Sequence, residues 1–295
     1  MSLWADLLGA EMRFAQGKYR TRLVEAGDGP PLFLLHGTGG HLENWARNIM
    51  PLARHFRVIA PDFLWHGLSQ TEPFDPEIVP TLVDQLADLM DHLGIECACF
   101  NGQSMGGWVA MQFALRHPGR VRALVLTTTQ GYLPDAGAVL GYAEPDWSQN
   151  LPTTLEALRN PSFENIKIRM ARIVADPARL TDEAVLIRQR IYARPDLARA
   201  QEAFNCEYLG MGPASRAHMV TDALARRIAA PTMVYWGDKN RTPPALGQHI
   251  AATIPGGRFH CAADTGHWAQ FESADEHNAV VTRFLLETLD LKEAA

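Results

Sequence analysis

The sequence predicts an α/β fold, with a mostly parallel sheet, helices on both faces of the sheet and an inserted helical cap. From residue 31 onward, short apolar segments alternate with longer segments of helical apolar spacing, which is the pattern of a parallel sheet built from βα units. This alternation stops over residues 131–224, where helical segments occur without a convincing strand, and then resumes. We therefore expect an α/β core formed by residues 1–130 and 225–295, with residues 131–224 as the cap.

Each element is justified by its own apolar period and by the glycine or proline residues that bound it. The first two strands are expected to be antiparallel, because a turn at Gly17 separates them by only a few residues. The expected strands are 11–15, 19–25, 31–35, 58–60, 97–100, 121–127, 232–236 and 258–262. The expected helices are 44–55, 79–93, 107–117, 154–159, 163–175, 182–193, 196–209, 245–254 and 276–291.

Composition and charge exclude several classes of function. The 295 residues carry a net charge of -6, and their Lys and Arg residues are scattered rather than clustered, which argues against a nucleic-acid partner. The four cysteines are too few and too irregularly spaced for a disulfide framework or a zinc site. No segment approaches the ~20 apolar residues of a membrane span, and the N-terminus does not resemble a signal peptide. We expect a cytoplasmic protein without a membrane partner or a bound metal.

The segment Gly102-Gln103-Ser104-Met105-Gly106-Gly107 has the pattern Gly-x-Ser-x-Gly. It lies between a predicted buried strand and a predicted helix, so Ser104 falls on the sharp turn between them. Small residues at 102 and 106 allow the helix to pack close to the strand while the serine hydroxyl stays exposed above the sheet. The pattern predicts a nucleophile elbow.

A serine nucleophile requires a general base, and His267 is the best placed of the eleven histidines. It lies in the loop between the last predicted strand and the last predicted helix. The order nucleophile, acid, base, with a cap before the acid, is that of the α/β-hydrolase fold. In that fold the loop that begins at His36 supplies half of an oxyanion hole, so we expect the backbone N-H groups of Thr38 and Met105 to be the two donors.

Three motifs extend the similarity beyond the fold. The chain resembles the meta-cleavage product hydrolases, which cleave a carbon-carbon bond of 2-hydroxy-6-oxohexa-2,4-dienoates produced by ring-opening dioxygenases. The resemblance covers nearly the whole chain and is weakest in the cap. It rests on His36-Gly37-Thr38-Gly39, on Gly102-x-Ser104-Met105-Gly106-Gly107, and on Gly266-His267-Trp268-Ala269-Gln270-Phe271-Glu272 followed by Asp275-Glu276-x-Asn278.

The resemblance implies a reaction, a small-molecule substrate and a set of contacts to it. The substrate carboxylate and dienol are expected at Asn44, at Trp268 and at a cap arginine placed at Arg188. Gln103 stands where the family usually has Asn, which alters the polar end of the site. The chemistry implied is ketonisation of the dienol, attack of Ser104 and an acyl-enzyme, with no metal or organic cofactor. If the chain forms an oligomer, a homodimer is the default expectation.

Apolar cap residues are candidates for the pocket of the C6 substituent, although Met and Phe at helical spacing more often pack the core of a cap. They are Phe163, Ile168, Met170 and Phe204.

The chain departs from the family at the residue that should orient His267. Family members place an Asp three residues beyond the glycine that ends the strand, and that position is occupied by Asn240. In one interpretation the Asn240 carbonyl accepts from His267 and fixes its tautomer without supplying a negative charge. In the other, the loop is shifted in register and Asp238 reaches His267. We favour Asn240.

Three other functions remain open at this point, because a fold does not determine an activity. An ordinary carboxylesterase or lactonase would act on simple esters and not on dienoates. A non-catalytic ligand-binding member, suggested by Asn240, would bind such ligands without turnover. A cofactor-free oxygenase on this fold would consume oxygen.

Overall fold

The computed structural model describes residues 2–139, 141–210 and 212–291. All eight strands that the sequence predicts are present. They are β1 (Glu11–Gln16), β2 (Arg20–Ala26), β3 (Pro31–Leu35), β4 (Arg57–Pro61), β5 (Ala98–Gln103), β6 (Val121–Thr127), β9 (Thr232–Gly237) and β10 (Arg258–Ala262). Two further short strands, β7 (Tyr132–Leu133) and β8 (Val220–Thr221), pair with each other.

The eight strands form one sheet in the order β1-β2-β4-β3-β5-β6-β9-β10. The pairs β1/β2 and β2/β4 are antiparallel and the other pairs are parallel. The mostly parallel sheet predicted from the alternation of elements is confirmed. Because the parallel strands end at a common edge, the loops that follow β3, β5, β9 and β10 lie near one another.

Eight described helices outside the segment between β7 and β8 cover both faces of the sheet. They are α1 (Leu3–Asp6), α2 (Ala46–Leu52), α3 (Ile78–His92), α4 (Met105–Arg116), α10 (Asp222–Ala225), α11 (Pro244–Thr253), α12 (Ala269–Glu272) and α13 (Ala274–Thr288). Successive residues of β3 alternate between two buried apolar clusters: Phe33 packs in the one with α3 and α4, and Leu34 in the one with α2 and α13. This alternation follows from the two-residue period of a strand buried on both sides.

Between β7 and β8 the chain is largely helical. The helices are α5 (Leu151–Arg159), α6 (Phe163–Ala171), α7 (Asp182–Tyr192), α8 (Pro195–Leu209) and α9 (Pro213–Ala217). Hydrogen bonds join these helices to the core, among them Tyr192 Oη to the Gly39 carbonyl at 3.1 Å and Tyr208 Oη to Gln130 Oε1 at 2.8 Å. No described helix is long and apolar enough to cross a membrane.

The structure corrects several details of the sequence prediction. Residues 131–224 do contain strands, because β7 and β8 bring the two ends of this segment side by side. A two-residue strand has no readable period, so only the pairing reveals it. The helix expected over 44–55 begins as a 3-10 turn at Leu42–Trp45 and ends at Leu52. The helix expected over 163–175 ends at Ala171.

Candidate active site

Ser104 occupies the turn between β5 and α4 in a strained backbone conformation. Its φ of 56° and ψ of -118° are rare for a residue with a side chain. The turn depends on its neighbours, because a Cβ at Gly102 would lie 2.3 Å from the Gly106 carbonyl oxygen and one at Gly106 would lie 2.2 Å from that of Leu35. Only glycine fits at these two positions. Backbone strain of this kind persists where the surrounding structure holds it, typically at functional sites.

Three side chains form a continuous chain of hydrogen bonds that begins at Ser104. Its Oγ lies 3.0 Å from His267 Nε2, and His267 Nδ1 lies 3.0 Å from Asn240 Oδ1. The His267 loop is fixed by its own carbonyl, which accepts from Thr128 Oγ1 at 2.8 Å and from Gln103 Nε2 at 3.0 Å. The arrangement is that of a nucleophile, a base and an orienting group.

The orienting position is occupied by Asn240 and not by Asp238. Asn240 Nδ2 donates to Thr242 Oγ1 at 3.0 Å, which leaves the Asn240 carbonyl facing the Nδ1-H of His267. The interpretation in which Asp238 reaches His267 is wrong, since Asp238 Oδ1 accepts from the Thr265 backbone N-H at 3.1 Å. In the tight turn after β9, which the Asn240 N-H closes by donating to the Gly237 carbonyl, the Asn240 side chain contacts His267 while that of Asp238 contacts the Thr265 backbone.

The surroundings of His267 favour its neutral form. Burial lowers the pKa of its imidazole to about 4, and the nearby positive charge of Arg241 acts in the same direction. Asn240 supplies no negative charge that would counter these effects. His267 is therefore an unprotonated base with a free Nε2 lone pair throughout the neutral pH range.

The loop after β3 presents backbone N-H groups beside Ser104. Within the described residues, the N-H groups of Thr38 and Met105 donate to no backbone carbonyl of a turn, a loop or a helix end. Met105 is the first residue of α4, so its N-H has no acceptor within the helix either. His36 secures this loop, because its Nδ1 donates to the Gly37 carbonyl at 2.8 Å while its Nε2 accepts from Phe63 N-H at 3.0 Å. Burial lowers the His36 pKa to about 3, so the ring stays neutral.

Arg188 is a buried cation with a neutral partner. Its side chain is 1% exposed, its Nη2 donates to Asn44 Oδ1 at 3.2 Å, and its Nε has no hydrogen-bond partner among the described residues. Burial lowers the pKa of Arg188 to about 10, with repulsion from Arg169 in the same direction. The guanidinium forms no ion pair with a described acidic side chain. A buried charge without a counter-charge is costly, so this position suits an anionic ligand.

Seven of the ten candidate site residues line one cavity, Asn240 reaches it through His267, and Met105 directly follows Ser104, whereas Asp238 is not part of the lining. The volume of the cavity is about 830 Å³, counting the part open to solvent, and its lining includes Ser104, His267, Asn44, Arg188 and Trp268. The indole N-H of Trp268 is buried and has no acceptor in the described part of the chain, so it can donate to a ligand. Gln103 also lines the cavity, although its amide N-H is used on the His267 carbonyl.

Three arginines that line this cavity, Arg169, Arg172 and Arg241, were not among the site residues predicted from the sequence. A signal existed, because two of them are three residues apart on a predicted helix and so share a face, while Arg241 follows Asn240 directly. The apolar candidates for the C6 pocket are wrong: Met170 and Phe204 are buried in the apolar clusters, Ile168 is exposed, and the described lining contains none of the four.

Within the described residues, no group of three His, Cys, Asp or Glu side chains is arranged to hold a metal ion.

Fold and site together define an α/β hydrolase with a serine at the nucleophile elbow. The family profile of the alpha/beta hydrolase fold matches residues 30–274. The 2-hydroxymuconate semialdehyde hydrolase of Pseudomonas sp. strain CF600 is 32% identical over 282 residues, 91% of each chain. The 2-hydroxy-6-oxononadienedioate/2-hydroxy-6-oxononatrienedioate hydrolase of Paraburkholderia xenovorans strain LB400 is 32% identical over 289 residues, again 91% of each chain.

A solved structure extends the comparison. The 2-hydroxy-6-oxo-6-phenylhexa-2,4-dienoate hydrolase of Rhodococcus sp. strain RHA1 superimposes with a TM-score of 0.80 and 25% identity, over 94% of this chain and 99% of that one. The chain belongs to the α/β-hydrolase fold family, in the group of the meta-cleavage product hydrolases.

Proposed function

We propose that this protein hydrolyses the C5-C6 bond of a 2-hydroxy-6-oxohexa-2,4-dienoate. The observation that supports this most directly is the buried Arg188 without a counter-charge, in the same cavity as the Ser104–His267 pair. A simple esterase does not require a buried cation beside its nucleophile. A dienoate carries a carboxylate that can supply the counter-charge of Arg188.

The substrate is held at its C1 end. The planar carboxylate accepts from Arg188, whose fork of N-H donors matches its geometry. Asn44, which already contacts Arg188 at 3.2 Å, and the free indole N-H of Trp268 bind the carboxylate and the C2 oxygen. We infer that residues 131–224 act as the cap, since Arg188 reaches the cavity from α7 while Ser104 and His267 belong to the core.

The first chemical stage moves a proton. His267 carries the proton from the C2 hydroxyl to C5, and the double bonds shift so that C2 becomes a ketone. The lowered pKa of His267 keeps its imidazole unprotonated at neutral pH, so it is available to accept this proton.

The second stage breaks the carbon-carbon bond. Ser104 gives its proton to His267 Nε2, 3.0 Å away, and its Oγ adds to C6. The oxyanion accepts from the N-H groups of Thr38 and Met105. When the C5-C6 bond breaks, its electron pair is delocalised onto the C2 ketone, and the imidazolium returns a proton to give 2-hydroxypenta-2,4-dienoate. Water then hydrolyses the acyl-enzyme to the carboxylic acid.

Asn240 orients the base without a charge. Its carbonyl accepts from Nδ1-H of His267 and so keeps the Nε2 lone pair directed at Ser104. The leaving electron pair is stabilised within the substrate itself, which reduces the demand on the imidazolium compared with the cleavage of an amide.

Stopped-flow absorbance with 6-phenyl and 6-alkyl 2-hydroxy-6-oxodienoates tests the proposal. We expect loss of the dienol chromophore and the formation of 2-hydroxypentadienoate and the matching acid. Ser104→Ala should abolish hydrolysis while retaining dienoate binding. Turnover of p-nitrophenyl acetate with an unchanged dienoate spectrum would instead indicate an esterase.

A further inference from the structure

Two of the cavity's arginines lie apart from the Arg188 end. Arg172 is the residue that caps the C-terminus of α6, and Arg241 belongs to the loop after β9. One therefore comes from the proposed cap segment and the other from the core, and both line the same cavity. Arg188 is buried whereas the side chain of Arg241 is exposed, so the two positions mark the inner and the outer end of one cavity.

These two arginines have neutral partners. Arg172 Nη1 donates to Thr153 Oγ1 at 2.7 Å, and Arg241 Nη1 donates to Asn150 Oδ1 at 2.8 Å. In the described part of the chain, neither guanidinium forms an ion pair with an acidic side chain. They are also close enough to repel each other, because the pKa of Arg241 is lowered by burial and then by the charge of Arg172.

The described lining of the whole cavity likewise carries positive charges without negative ones. These described residues include Arg169, Arg172, Arg188 and Arg241 but no Asp or Glu. One substrate carboxylate at the inner end balances Arg188 and leaves the outer pair uncompensated. Two guanidinium groups facing one opening form a receptor for a second anion, and a carboxylate suits their planar forks of donors.

We propose that Arg172 and Arg241 form a second anion subsite, which binds a carboxylate at the end of the C6 substituent. The preferred substrates are then dioates, in which a short aliphatic chain joins C6 to a second carboxylate. This inference rests on the proposed function, because it takes C1 to lie at Arg188 and C6 at Ser104. The C6 substituent extends from Ser104 toward the outer end, past His267, which is near enough to Arg241 to feel its charge.

The subsite also gives the dioate a role in joining cap to core. A carboxylate that bridges Arg172 and Arg241 removes their mutual repulsion, whereas a neutral C6 substituent leaves it in place. Because the Arg241 side chain is exposed, a carboxylate bound there is only partly desolvated, which costs less than full burial.

A matched pair of substrates tests the proposal. 2-Hydroxy-6-oxonona-2,4-diene-1,9-dioate and 2-hydroxy-6-oxonona-2,4-dienoate have the same carbon chain and differ only in the second carboxylate. We expect the native protein to show a kcat/KM about tenfold or more higher for the dioate, since a charge-assisted hydrogen bond contributes a factor of about this size. Arg172→Gln and Arg241→Gln should each reduce this preference about tenfold.

Arg190→Gln is the matched control. Arg190 is exposed on α7 and does not line the cavity, so the substitution removes the same charge from the protein surface and should leave the preference unchanged. Equal kcat/KM values for the two substrates in the native protein would overturn the subsite. So would a loss in the Arg172 and Arg241 variants that is equal for both substrates, which would indicate only long-range attraction of anions.

The failure of the subsite is distinguishable from failure of the proposed function. Turnover of the monoacid without preference for the dioate retains the function and rejects the subsite. If neither compound is turned over, the function is wrong. Calorimetric binding of both compounds to Ser104→Ala then decides the subsite separately: tighter binding of the dioate that Arg241→Gln removes supports it, and equal binding rejects it.

Discussion

Replacing Asn240 by Asp should convert a neutral orienting group into a charged one without changing its shape. The new Oδ1 would occupy the place of the present carbonyl, 3.0 Å from His267 Nδ1. The second oxygen would accept from the Thr242 hydroxyl, which now lies 3.0 Å from Asn240 Nδ2. Since both contacts can be retained, the main consequence is electrostatic.

The size of the effect follows from the position of the charge. A carboxylate at hydrogen-bond distance raises the pKa of a neighbouring cationic acid by about 1 to 3 units. The His267 pKa, held at about 4 by burial and by Arg241, should therefore rise to between about 5 and about 7. The same attraction stabilises the imidazolium formed during serine attack by about 1.4 to 4 kcal/mol, or roughly tenfold to a thousandfold in the rate of that step.

The pH profile of dienol consumption measures both effects. His267 acts as a base only when unprotonated, so activity of the native protein should fall with decreasing pH only near pH 4. In Asn240→Asp the plateau should be higher and the decline should begin at a higher pH. Asp238→Asn is the control, because Asp238 bonds to the Thr265 backbone and its change should leave the profile in place. An unshifted acid limb in a folded Asn240→Asp protein would refute the role given to Asn240.

Three further predictions concern binding and stability. Arg188→Gln should raise the KM for dienoates about a hundredfold, because the buried carboxylate loses its charged partner, and a KM that stays the same would contradict that contact. Trp268→Phe should raise KM about tenfold by removing one N-H donor, with intact thermal unfolding as the control. The buried His36 and His277 have pKa values lowered to about 3 by burial. The unfolded chain therefore binds more protons below about pH 6.5, and the free energy of unfolding should fall by about 1.4 kcal/mol per histidine for each pH unit between about 6 and 4. Urea unfolding at three pH values measures this slope, and a flat response would contradict it.

The sequence alone determined where most secondary-structure elements lie and whether each is a strand or a helix. Alternation of short apolar runs with helical periods is a local property, and it was sufficient to predict the six strands of the sheet from β3 onward, while the turn at Gly17 indicated the hairpin of β1 and β2. The glycines around Ser104 could also be interpreted from the sequence, because a nucleophile elbow requires small residues at 102 and 106, where the structure leaves no space for a Cβ. Elements without a period, such as the two-residue strands β7 and β8, could not be predicted, since they exist only through their pairing.

The tertiary structure decided what each loop side chain meets. Asp238 and Asn240 lie two residues apart, and only the turn after β9 brings one of them to His267. Arg172 and Arg241 are distant in sequence, so the helical spacing that pairs Arg169 with Arg172 does not indicate that Arg241 lines the same cavity. Burial and charge balance arise from groups that folding brings together, and for this reason the nucleophile could be found in the sequence while the electrostatic character of its cavity could not.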